Sequence, residues 1–379
     1  MKKEDLNSSP EETREEEKID EENTESALPA GFNWKRFCYI AIASFFILLF
    51  SATIYLFVYP GLLKKNSNGF YFSQTPEENK NSICANCVRQ YLNGSYVAPE
   101  KENIYPIAAM IDNHPDARPA YGLSQADLVY EAEAEGGITR YLAIFANGEK
   151  VEEIGPIRSA RPYFVDWAKE LSAVFTHCGG SPEALVKITQ ENLFDLNEFY
   201  NGNYFWRSND NSAPHNVFTS SGKLSEYLKN KNLTTGKFLK WAFKDDSPSG
   251  NEQNDIVIGF KFPSFVVKWK YDKIDNEYTR YLGGELQKDG GNNQEIKAKN
   301  IIIQYQETEV LDSDLRLRIG TLGSGKAVIC LDGKCSVGEW RKNSSSGRTR
   351  YYYENGEEAK FNGGKIWVET VRSDLQITY

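Results

Sequence analysis

The chain has 379 residues, 40% hydrophobic, 13% aromatic and 26% charged, with a formal net charge of −9. That apolar and aromatic content excludes a disordered or collagen-like chain. The negative balance excludes non-specific nucleic-acid binding, which needs a basic footprint. The acidity is concentrated at one end. Residues 1–36 hold 6 basic and 11 acidic residues and almost no apolar ones, so the reading there is a disordered tail that cannot bury enough surface to fold. Residues 37–59 form an uncharged run from Phe37 to Tyr59, longer than the ~20 residues a helix needs to cross ~30 Å of hydrocarbon. Trp34, Tyr39, Tyr55 and Tyr59 sit near its ends, where interface aromatics belong. The run is too long for a signal peptide and no cleavage site follows promptly. One transmembrane helix is expected, with the short tail inside and the large remainder outside.

Residues 60–103 are polar and carry no sustained period, so they read as a juxtamembrane linker. From 104 to 245 strands and helices alternate, which predicts an α/β domain. Strands are expected at 105–111, 127–134, 138–146 and 173–176, and helices at 162–171 and 182–189. Ser181 is a natural N-cap there, and Pro182 suits the first helical position. The polar stretch Asp245 to Asn254 is the best internal boundary. Beyond it, residues 255–379 lose the helical signal and read as a β-rich domain with short strands from 256 to 371. No internal repeat is present.

Cysteines suit an oxidising compartment for the large part. Cys330 and Cys335 flank an Asp332-Gly333 hairpin turn and would face each other across the strands, within disulfide reach. Cys84 and Cys87 could form a local disulfide, a redox pair or half a zinc site. No second C-x-x-C completes a zinc ribbon, so the local disulfide is the default reading. Cys178 is left over.

Three long motifs carry a family resemblance: MIDNHPDARPAYGLSQADLVYEAEAEGGITRYLAIF (110–145), GPIRSARPYFVDWA (155–168) and HCGGSPEAL (177–185). With APHNVFTS (213–220), GSGKAVICLDGKCSVGEWRK (323–342) and NGEEAKFNGGKIWVETV (355–371), the chain resembles the YerB-like family of bacterial envelope proteins across roughly residues 104–372. The resemblance implies an α/β domain followed by a β domain on the outer face of a cytoplasmic membrane, and it brings no assigned activity. Many members look like lipoproteins, whereas no lipobox precedes a cysteine here. The transmembrane run therefore stands where a lipid anchor would be.

Candidate chemistry gathers in those motifs. Arg140, Arg158 and Arg161, with Ser159 between the last two, form a cationic group. The Gly179-Gly180-Ser181 turn would aim backbone N–H groups at an anion from a helix start. Two readings stand: an anionic envelope ligand, or internal pairing with Glu131, Glu133 and Glu135, whose alternation would line one strand face. His114, His177 and His215 all fall in loop-like segments; with Asp112 or Glu133 they could hold a metal or move protons. Their spacing matches no local zinc signature, and His215 with Asn216 reads better as a loop-fixing pair. Neither G-x-S-x-G nor G-x-x-x-x-G-K-[ST] occurs, and His177 and Cys178 should point to opposite faces of their strand. Trp206, Trp241, Trp269, Trp340 and Trp367 read mostly as core. The expectation is a single-pass protein of the bacterial cytoplasmic membrane, its C-terminal ectodomain outside the cytoplasm. It would bind a cell-wall polymer or an envelope protein, without nucleic acid, metal or cofactor. The alternative is an envelope-directed hydrolase using a His/carboxylate site.

Overall fold

The computed structural model describes residues 86–249 and 255–379. The acidic tail, the 37–59 run, Cys84 and most of the linker lie outside the described residues. No helix among the described residues is long and apolar enough to cross a membrane.

Among the described residues, three α-helices and the thirteen strands named below frame the fold. In chain order they are β1 (Ile107–Asp112), β2 (Leu128–Glu135), β3 (Ile138–Phe145), α1 (Pro162–Lys169), β4 (Val174–His177), α2 (Pro182–Gln190), β5 (Phe194–Asn197) and α3 (Ser221–Asn230). There follow β6 (Ile256–Gly259), β7 (Val266–Asp272), β8 (Glu277–Leu282), β9 (Asn300–Gln306), β10 (Gly323–Leu331), β11 (Lys334–Lys342), β12 (Arg350–Tyr353) and β13 (Ile366–Arg372). Helices α1 and α2 start on the expected prolines, and the Ser181 hydroxyl accepts the Ala184 N–H as an N-cap. Helix α3 was not foreseen; Ser220 caps it and Leu224, Tyr227 and Leu228 are its buried positions.

The two halves of the chain share one sheet. Ten strands run in the order β12-β11-β10-β9-β13-β2-β3-β1-β4-β5. The junction is β13, which lies parallel to both β9 and β2, pairing Trp367 with Ile301 on one side and Val129 on the other. All of β1 and β9 is buried, so both read as near-continuous apolar runs. One face of the sheet packs on α1 and α2 through Tyr163, Phe164, Trp167 and Ile188. The other face packs on a second sheet built around β6, β7 and β8, with Trp269, Val267 and Tyr278 in the contact.

Two expectations need correction. Residues 88–101, read as linker, are built structure: Val88–Arg89 pairs with Tyr96–Val97, and Leu92, Gln90 and Asn93 are buried. Side-chain hydrogen bonds do the holding, the Gln90 amide donating to Ala146 O and Asn93 donating to Asp127, and such bonds leave no apolar period to read. His177 is not in a loop: it ends β4, fully buried.

The Cys330–Cys335 disulfide is present, with Cα atoms 4.0 Å apart and the two residues directly opposed across β10 and β11. Asp332 and Gly333 at the turn both have positive φ, 54° and 73°, the backbone a two-residue hairpin of this kind requires. Cys87 is disulfide-bonded. Trp241, Trp269, Trp340 and Trp367 are core residues.

Candidate functional site

The site forms where β1 and β4 part. These two parallel strands pair directly from Ile107 and Val174 to Ala109 and Thr176. Beyond that, the segment 156–160 wedges between them. Asp112 N donates to Pro156 O, Arg158 N to Met110 O, Cys178 N to Arg158 O and Ala160 N to Gly179 O. The same segment bonds outward, Ile157 N donating to Val217 O, which carries His215 to the end of β1. The carboxyl ends of parallel strands are where open α/β sheets place ligands.

Asp112 is the hub. Its side chain is 2% exposed. Oδ1 accepts the His114 N–H at 3.0 Å. Oδ2 lies 2.7 Å from His215 Nδ1 and 2.9 Å from Arg158 Nε. Burial pushes the Asp112 carboxyl up, but the His114 N–H, the Arg158 and Arg140 guanidiniums and His215 outweigh it and hold it below the usual aspartate value. An ionised carboxylate only accepts, so His215 Nδ1 carries a hydrogen, and the neutral ring then presents its lone pair at Nε2. The His114 and His215 rings stack, with centroids 4.7 Å apart and planes 18° from parallel. His114 Nδ1 accepts the Asp116 N–H at 3.2 Å, which leaves hydrogen on Nε2.

Arg158 is 23% and His215 12% exposed. Among the described residues, neither Nη of Arg158 and neither Nε2 of the stacked histidines has a hydrogen-bond partner. His114, Asp116 and His215 bring three ligand-type atoms within 4.8 Å of one another. A metal ion lies near the plane of each imidazole that binds it, and two rings stacked 18° from parallel are a poor arrangement for sharing one ion. This geometry suits hydrogen-bond recognition.

The other arginines go inward. Arg140 bonds Glu135 and donates to Ser159 O, while Arg161 donates to both Glu135 oxygens at 2.7 and 2.9 Å. Burial pushes the Glu135 carboxyl up, and the two guanidiniums more than reverse it. The three glutamates do not line one face. A β-bulge between Glu133 and Glu135 breaks the alternation. Glu131 bonds Thr139 and Glu135 bonds the next residue, Arg140, so their carboxylates lie on opposite sides of the sheet. Glu131 is fully buried on Arg280, whose guanidinium lies 4.9 Å from the Trp367 ring centroid. Glu369 completes that cluster and takes a 2.8 Å hydrogen bond from the Trp269 indole. Burial, then the neighbouring Glu131, hold the Glu369 carboxyl well above the ordinary range. Glu133 joins neither group.

The Gly179–Ser181 turn is not an open anion cradle. Gly179 N–H is taken by Asn197 Oδ1 and Ser181 N–H by Ala160 O. The Glu183 carboxylate sits on its own N–H and on Ser181. His177 is separate from the other histidines: Nδ1 faces Gly179 O at 2.7 Å and Nε2 faces Asp195 at 2.8 Å. Cys178 points the other way, its Sγ 3.5 Å from Glu198. Burial and that carboxylate push its thiol up to about 11, which argues against a nucleophile. Arg207 bridges Glu198 and Asn216 beside it. Of the hydrolytic alternative, only the Asp112–His215 pair is assembled. The hub role of Asp112 was the part sequence reasoning underweighted; its signal was the Asp-Asn-His run ending a buried strand.

Residues 92–234 match the model described as "Protein of unknown function (DUF3048) N-terminal domain", and residues 256–368 match its C-terminal domain. The chain is 32% identical over 275 residues to the "Putative lipoprotein YerB" of Bacillus subtilis (strain 168), covering 70% of this chain and 81% of that protein. It is also similar to the crystal structure of YerB protein from Bacillus subtilis, with a TM-score of 0.68 and 29% identity over 77% of this chain and 100% of the other. The chain therefore belongs to the DUF3048 family, with both of that family's domains present.

Proposed function

We propose that this chain is a membrane-anchored, extracytoplasmic binding protein of the bacterial cell envelope, which takes an anionic envelope ligand or the anionic group of a partner protein at the Asp112–Arg158–His215 cluster. The observation that carries this reading is Arg158. Its Nε lies 2.9 Å from the buried Asp112 carboxylate, in an ion pair without hydrogen-bond alignment, while its two terminal nitrogens are left open. A guanidinium held in that way is a pre-set fork for carboxylate or phosphate. Arg140, Arg161 and the Gly179–Ser181 turn brace the cluster from behind, and Ser159 and Asn216 flank it.

The lipoprotein description of the Bacillus subtilis relative supports an extracytoplasmic place, with the run from Phe37 to Tyr59 as the anchor. The Cys330–Cys335 disulfide supports an oxidising side for the large part. Two measurements test the reading. A reporter active only outside the cytoplasm, fused after Tyr379, should be active; activity only from a cytoplasmic reporter overturns the topology. The full chain in detergent should be retained by isolated envelope material, and Arg158→Ala should cut retention about tenfold or more. Equal retention of the two proteins overturns the site.

A further inference from the structure

The open atoms at this site are of two kinds. Arg158 Nη1 and Nη2 and His114 Nε2 can only donate, since His114 Nδ1 is occupied as the acceptor of the Asp116 N–H. His215 Nε2 is the opposite case. With Nδ1 turned onto the Asp112 carboxylate at 2.7 Å, the neutral ring carries its hydrogen there, and in that form Nε2 presents a lone pair and accepts. The two kinds cannot drift apart, because Arg158 Nε and His215 Nδ1 converge on one and the same oxygen, Asp112 Oδ2. The stacked His114 ring holds the His215 plane in place from the side.

A ligand that satisfies this set must accept from a guanidinium fork and donate to an imidazole nitrogen whose ring shares the Asp112 oxygen with that fork. Carboxylates, sulfate and phosphodiesters are acceptor-only when ionised. A hydrogen phosphate or a phosphate monoester in its singly protonated form offers both: bare oxygens for Arg158 and His114, and one P–O–H for His215. We propose that the ligand class of this site is an oxyanion that carries its own hydrogen, of the hydrogen-phosphate or phosphomonoester type, and that His215 Nε2 is the atom that reads that hydrogen. The inference rests on the anion-binding reading above and narrows it. Binding moves no covalent bond: the P–O–H donates to the imidazole, and the proton stays on the ligand.

Inorganic phosphate and sodium sulfate, matched in size and shape, are the probes. Each is titrated by calorimetry into the full chain in detergent at pH 7.5. Phosphate should bind at least about tenfold more tightly than sulfate, because sulfate sets an oxygen lone pair against a nitrogen lone pair and leaves both unsatisfied. His215→Asn keeps an amide donor able to face Asp112 and has no atom at the Nε2 position, so the preference should fall toward unity with sulfate affinity retained. Arg158→Ala should lose both anions. Equal affinity for phosphate and sulfate in the unmodified chain overturns this inference and leaves the anion-binding reading standing. No binding of either anion, or binding that survives Arg158→Ala, overturns both. A preference that survives His215→Asn overturns the role given to His215. The phosphate-to-sulfate ratio of the unmodified chain needs no variant to fold.

Discussion

Two ionic clusters, each an arginine on a buried carboxylate of the large sheet, end differently. In the cluster of Glu131, Arg280 and Glu369 every side chain is fully buried, and the members come from β2, β8 and β13, so the cluster spans both halves of the chain and both sheets. In the cluster of Asp112, Arg158 and His215 only the carboxylate is buried, and the cation keeps two nitrogens open. A second closed cluster lies on the opposite face of the large sheet, where Glu170 takes Lys342, Arg348, Thr349 and Tyr130. A closed network contributes architecture, because its charged groups are buried on one another out of a ligand's reach, even where an atom such as Arg280 Nε or Glu369 Oε2 has no hydrogen-bond partner. An open one, pinned by a buried carboxylate at the parting of two parallel strands, is what the proposed site requires. An arginine count alone does not separate them; where the unused N–H groups point does.

The comparison breaks first at Arg280. Arg280→Met removes the cation and leaves Glu131 buried without its counter-charge, which should destabilise the full chain by about 3–5 kcal/mol in urea unfolding. A loss under ~1 kcal/mol would mean that the closed cluster does not bolt the two halves together. Glu170 comes next. Burial pushes its carboxyl up, and Lys342, Arg348, Thr349 and Tyr130 more than reverse that, leaving it at about 2. A folded value below the unfolded one gives stability that is full above pH ~4.5 and is lost as pH falls toward 2, about 3 kcal/mol in all. Glu170→Gln should remove that part of the acid slope in urea midpoints measured from pH 5 to 2.5. Asp127 has the opposite sign: burial holds its carboxyl at about 7. Its contribution therefore declines as pH rises from ~4 to 7, and Asp127→Asn should flatten the profile in that window. Smaller still is the disulfide. It closes a loop with a sequence separation of 5, so Cys330→Ser with Cys335→Ser should cost roughly 2 kcal/mol, less than the non-covalent bolt that joins residues 149 apart in sequence.

What sequence could reach follows from how local each feature is. The β2–β3 hairpin, helices α1 and α2, the Asp332-Gly333 turn and its disulfide depend on neighbours a few residues away, and all were legible. The motifs also singled out Arg158 and His215, which the fold brings to one carboxylate, Asp112. The partner of Glu131 was not legible, since Arg280 lies in the other half of the chain. Nor was the placement of β13 between β9 and β2, because a buried parallel strand is a plain apolar run whose neighbours its own residues do not name. The bulge at Glu133 and Glu135 left no local mark, and it redirected Glu135 from an expected row of three carboxylates to Arg140 and Arg161. The arginines divide by residue: Arg140 and Arg161 pair inward with Glu135, while the terminal nitrogens of Arg158 stay open.

The smallest expected effect on stability is the most informative. Arg158→Ala leaves Asp112 with the His114 N–H and His215 Nδ1, so the buried carboxylate keeps two partners and the guanidinium lost was partly exposed. The change in unfolding free energy should stay under about 1 kcal/mol, the range of partly exposed ion pairs, while retention on envelope material drops about tenfold or more. Arg280→Met should show the reverse, a large loss of stability with retention unchanged at temperatures where the chain remains folded. Measured side by side, the two variants ask whether stability and binding reside in different arginines. If Arg158→Ala destabilises as strongly as Arg280→Met, the cluster at the end of β1 is a third bolt, and the division between closed and open clusters fails.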